Sequence, residues 1–112
     1  MKSYEQLPEQ ARALLNSVKQ IVHRFIPTAS ILLYGSAARG THNPESDYDV
    51  LILTDRPLST KEEDIIIDAV YDLELENGVV VSLVFYTQEE WDNPHYVLLP
   101  FHQNVEKDAI LV

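Results

Sequence analysis

The stretch that decides the fold is Gly35-Ser36-Ala37-Ala38-Arg39-Gly40-Thr41-His42-Asn43-Pro44-Glu45-Ser46-Asp47-Tyr48-Asp49. A short apolar run, Ser30 to Tyr34, leads into it, and a second, Val50 to Leu53, leads out. Both runs have the length and the branched side chains of buried strands. The segment between them, Gly35 to Asp47, holds two glycines, Asn43-Pro44 and Ser46, and reads as a loop.

Outward from this stretch, the chain alternates helix and strand signals. Upstream, Pro8 opens a run of helix formers in which Leu14, Leu15, Val18, Ile21, Val22 and Phe25 recur at helical spacing, and Pro27 ends it. Downstream, Ser59 with Glu62, or Thr60 with Glu63, makes a capping box for a helix over Lys61 to Glu76, with Ile66, Ala69, Val70 and Leu73 on one face. Asn77-Gly78 stops it. Val79 to Tyr86 is the densest strand signal, Thr87 caps a short helix, and Leu98 to Lys107 is a last helix before an apolar tail, Ala109 to Val112. The expected order is helix, strand, strand, helix, strand, helix. That is an α/β (α+β) chain with a small mixed sheet flanked by helices.

Length and composition agree with a single domain over residues 1–112, since 12.8 kDa leaves no room for a second core. Without cysteine the chain offers no disulfide, thiolate metal site or cysteine nucleophile. Eight Lys and Arg face eighteen Asp and Glu, a net charge of −10. That charge, with no basic cluster to offset it, argues against DNA or RNA binding. No apolar run is long enough to cross a bilayer, and the first residues lack a secretory signal, so the expected location is the cytoplasm.

The chemistry lies in the quoted stretch. Gly35 lets the backbone turn sharply and approach a ligand. Gly-Ser at a strand-to-helix turn offers backbone N–H groups and a hydroxyl to a phosphate. Asp47 and Asp49, two apart on a strand, share one face, and paired carboxylates that close repel unless a cation lies between them. Mg²⁺ accepts carboxylates, waters and phosphate oxygens together, which makes it the expected ion. A phosphate cradle beside a metal pair is equipment for phosphoryl or nucleotidyl transfer.

The segment resembles the signature of the minimal nucleotidyltransferase branch of the DNA polymerase beta-like superfamily: Gly-Ser, ten residues, then Asp-x-Asp, met here by Gly35, Ser36, Asp47 and Asp49. The resemblance implies a small mixed sheet flanked by helices. It implies Asp47 and Asp49 as catalytic metal ligands, and Gly35 and Ser36 as nucleotide-phosphate binders with Arg39 as a helper. The implied reaction moves AMP from ATP onto an acceptor hydroxyl. Short members of the branch often act as antitoxins that adenylylate a HEPN-domain ribonuclease toxin, commonly on a tyrosine.

One departure stands out. The family usually carries a third carboxylate on a later strand, but Val79 to Tyr86 has no acid, and Ser82 falls about where that residue belongs. Glu74 and Glu76 lie before the strand, and Glu89 and Glu90 after it. The alternative expectation is therefore a nucleotidyltransferase-fold binding module that neutralises its partner by complex formation alone. His23, His42, His95 and His102 have no metal-ligand spacing, and Trp91, Tyr96 and Phe101 read as core.

Overall fold

The computed structural model describes residues 3–40 and 47–112. Its centre is a sheet of β1 (Ser30–Tyr34), β2 (Tyr48–Thr54), β3 (Val81–Thr87) and β4 (Ile110–Leu111), in the spatial order β3-β2-β1-β4. β1 runs antiparallel to both β2 and β4, and β2 runs parallel to β3. The parallel pair needs a crossover, supplied by the helix α3 (Thr60–Asn77). The sheet is therefore mixed and flanked by helices, as the sequence predicts.

The two faces are built from alternate residues of the strands. On one face Ile31, Leu33, Val50, Ile52 and Val81 pack with α1 (Glu9–Phe25) and α3 into the main core. Helix α1 contributes Ala11, Leu14, Leu15, Val18 and Val22; the last three have no exposed surface. Fully burying such a side chain contributes about 1.5–3 kcal/mol. The opposite face carries Leu51 and Leu53, covered by Trp91 of α4 (Gln88–Asp92) and Val105 of α6 (Pro100–Asp108). Because β2 is covered on both sides, Val50 to Leu53 is continuously apolar rather than alternating.

The expected boundaries hold where a local signal sets them. β1 spans the expected residues, and α3 starts at the Ser59–Glu62 capping box, with Ser59 Oγ accepting from Glu62 N at 3.1 Å and Glu62 Oε1 accepting from Ser59 N at 3.1 Å. Gly78 ends α3 in the left-handed region, at φ 64°. Other parts differ. The expected loop after Tyr34 begins with a one-turn helix, α2 (Ser36–Arg39), and an extra turn, α5 (Pro94–Val97), separates α4 from α6. The apolar tail includes a short strand, β4, pairing Leu33 with Ile110 and Leu32 with Leu111. Phe25, expected on the buried face of α1, is 39% exposed, and Ala11 takes a place there instead. No helix among the described residues is long and apolar enough to cross a membrane.

Candidate active site

β1 delivers the chain to Gly35, whose backbone, at φ 77° and ψ −158°, lies in a region open to glycine almost alone. The turn sends the chain into α2. Buried Ala37 and Ala38 anchor that helix, and Gly40 closes it at φ 80°, its N–H donating to the Ser36 carbonyl. Gly35 is also a steric requirement. A Cβ built there would overlap Oδ2 of Asp49 and lie 3.3 Å from its Cγ. The carboxylate of Asp49 is thus packed directly over the Gly-Ser turn.

Asp49 holds this position because of its register. It pairs with Tyr34, the last residue of β1, on one side and with Ser82 of β3 on the other. Asp47, exposed, is the residue just before β2, and Tyr48 between the two acids is buried in the main core. The Asp-x-Asp spacing therefore turns one aromatic inward and leaves Asp49 on the opposite side of the strand. Thr41 to Ser46, including His42, lie outside the described residues.

Two residues the sequence reading did not single out belong to this neighbourhood. Tyr34 is the cross-strand partner of Asp49, and its ring meets Phe101 of α6 edge-on at 5.5 Å. Burial first, then the Asp49 charge and Tyr86, push its phenol up to about 12. Tyr34 is therefore neutral at ordinary pH, a hydrogen-bond donor and no base. Asp108, the last residue of α6, accepts from Arg39 Nη1 at 2.8 Å; its side chain is 13% exposed and that of Arg39 50%. Their separation in sequence, 69 residues, left no local signal to find this pair.

Two of the four acids flanking β3, Glu74 and Glu90, are engaged elsewhere. Glu74 Oε2 accepts from Val81 N at 3.1 Å, and Glu90 Oε1 accepts from Thr87 N at 2.9 Å in the cap of α4. Among the described residues, no three His, Asp or Glu side chains gather into a metal-holding group. The structure thus places one carboxylate, that of Asp49, at the Gly-Ser turn, with Ser82 beside it in register and Asp47 exposed just ahead of β2. That set suits Mg²⁺, which is commonly held by one or two carboxylates and completed by waters and substrate phosphates. His102 is buried, stacks on Trp91 with ring centroids 3.9 Å apart, and bonds the Trp91 carbonyl through Nε2 at 2.8 Å. Trp91 and Phe101 join it in the second core layer, so these aromatics are packing groups, as expected.

A mixed sheet that carries one carboxylate over a glycine-serine turn, with a second acid two residues ahead of it, has the layout of a nucleotidyl-transfer scaffold. The comparisons with known proteins agree. Residues 13–111 match the family model described as nucleotidyltransferase domain, and the chain belongs to that family. It is 36% identical over 79 residues to a protein of Methanocaldococcus jannaschii named as a putative protein adenylyltransferase, covering 70% of this chain and 72% of that one. A second protein of that organism with the same description is 38% identical over 56 residues, covering 50% of this chain and 57% of the relative. A solved structure titled as a putative minimal nucleotidyltransferase superposes with a TM-score of 0.64, covering 99% of this chain and 97% of that chain at 22% identity, and so shares the fold.

Proposed function

We propose that this chain transfers AMP from ATP to a hydroxyl of a partner protein, a tyrosine of a HEPN-type toxin, and so acts as its antitoxin. The observation that supports this most is the Asp49 carboxylate packed over the Gly35 turn, with Asp47 two residues before it. The naming of its relatives as protein adenylyltransferases points the same way.

In this reading Asp47 and Asp49 hold Mg²⁺, which when bound neutralises phosphate charge. Ser36 offers its N–H and hydroxyl to the triphosphate at the turn that Gly35 makes, and Arg39 adds a positive charge at the end of the same helical turn. The acceptor oxygen attacks the α-phosphorus, the bond to the β-phosphate oxygen breaks and pyrophosphate leaves, and the hydroxyl proton passes to solvent. Tyr34 lines this end of the sheet as a neutral donor.

The register of β2 and β3 favours a second reading. Ser82 beside Asp49 offers a neutral hydroxyl where a third acid would serve as base or ligand. In that reading the chain neutralises its partner by binding alone. One experiment separates the two. The chain is incubated with Mg²⁺, labelled ATP and the protein encoded next to it, beside the Asp47→Ala/Asp49→Ala variant. Label on the neighbour with the unmodified chain alone supports transfer. A stable complex without label supports the binding module.

A further inference from the structure

Helix α3 carries seven acids and one base, Lys61, and with them most of the chain's net charge of −10. Its inner face is accounted for: Ile66 and Val70 are buried, and Leu73 packs against the main core. Its outer face holds two adjacent rows, each of residues four apart and so aligned along one side of the helix. One row is apolar. Ile67, Tyr71 and Leu75 are 41%, 54% and 65% exposed, and none of the three belongs to either packed core. The next row is acidic from end to end: Asp64, Asp68, Asp72 and Glu76, all exposed. None of these four has an ion-pair partner among the described residues, although Glu62 on the same helix pairs with Arg56. Like charges four apart repel, and Glu76 stands in the last turn, where the helix dipole favours a base and no base is found. A ridge of exposed apolar groups bordered by uncompensated like charge is unfavourable in the chain alone and marks an interaction surface.

We infer that this face of α3 docks the partner protein, on a surface of that protein where apolar side chains are ringed by lysines and arginines. The inference rests on the reading that a partner protein exists, whether the chain modifies it or only binds it. Charge selects the occupant. The acidic row repels nucleic acid and anionic membranes. A second copy of this chain would bring another acidic row to the same contact, in a protein already at −10. A basic-rimmed protein surface covers the apolar row and neutralises the acids in one contact. Placement fits as well. Glu74, next to Leu75, accepts from Val81 N, and the following residue of β3, Ser82, is the register partner of Asp49. The apolar row thus ends at the end of the sheet where the candidate site lies, and a protein seated on it is held near that site.

Calorimetric titration of the full chain with the purified protein encoded next to it tests this. Two variants run beside it: Tyr71→Gln/Leu75→Gln, which keeps the charge, and Asp64→Asn/Asp68→Asn/Asp72→Asn, which keeps the apolar row. The unmodified chain should bind, less tightly as salt rises. The first variant should lose about tenfold or more in affinity. The second should lose affinity and most of its salt dependence. Amide exchange of the unmodified chain should slow in α3 when the neighbour is added, a readout that decides the matter even where a variant fails to fold. No binding at any salt would overturn the partner reading and this inference together. Binding that leaves α3 exchange unchanged, or full affinity in either folded variant, would overturn this inference alone. So would a mass above 12.8 kDa for the chain by itself that returns to 12.8 kDa in Tyr71→Gln/Leu75→Gln, since the face would then belong to a second copy.

Discussion

The Asp49 carboxylate occupies the volume that a side chain at Gly35 would need, so the glycine and the acid form one unit. Gly35→Ala must push Asp49 aside and also hold a Cβ at a φ of 77°. A loss of about 1–3 kcal/mol in unfolding free energy is expected, together with a loss of Mg²⁺-dependent ATP binding. Gly78→Ala is the control. Its φ of 64° is also positive, but a Cβ there meets nothing within 4 Å, so it should cost about 1–2 kcal/mol and leave ATP binding intact. Denaturant melts and ATP titrations on both variants check the contrast.

Tyr34 reports on Asp49 from across the strand pair. Its folded-state phenol is raised from 10.0 to about 12, so the folded chain holds that proton more tightly than the unfolded chain does. The stabilisation is complete below pH 10 and is lost as pH rises to about 12. Tyr34→Phe should flatten the alkaline fall in stability, leaving a remainder from Tyr48, whose phenol burial also raises. Asp49→Asn should lower the Tyr34 value without returning it to normal, because burial is the larger cause. NMR titration of ring-labelled tyrosine reads this directly.

The ion pair of Arg39 with Asp108 separates two roles for the arginine. If Arg39 serves the phosphates, Arg39→Gln weakens ATP binding while Asp108→Asn, which frees the guanidinium, does not. Arg39→Gln also leaves a carboxylate of 13% exposure without its arginine, so about 1 kcal/mol of stability should go with it. Equal effects of the two variants on ATP affinity would instead make the pair a structural tie between α2 and α6.

Much of this was legible in the sequence because the signals are local. Pro8 and Pro27 bracket α1, Ser59 and Glu62 cap α3, and Gly35, Ser36, Asp47 and Asp49 announce their turn and strand by spacing alone. What escaped is long-range. Two residues of β4 carry too little periodicity to be read as a strand, and they are one only because β1 is there to pair with. Strand order and the Arg39–Asp108 pair depend on how distant segments meet, and Phe25 has the spacing of a core residue yet is exposed at the end of α1, where the next residue, Ile26, is buried instead.

Ser82→Asp is the sharpest test of the site, because the β2–β3 register sets that residue directly beside Asp49. Without metal, a third acid there adds like-charge repulsion, and the variant should melt below the unmodified chain. With Mg²⁺ present the order should reverse, since an ion held by three carboxylates binds the folded state more tightly and stabilises it by mass action. Thermal melts with and without Mg²⁺ should therefore cross, and adenylylation of the partner, where it occurs, should rise. Melts that stay parallel at every Mg²⁺ concentration would mean that no cation sits between Asp47 and Asp49, and the metal reading of this site would fail.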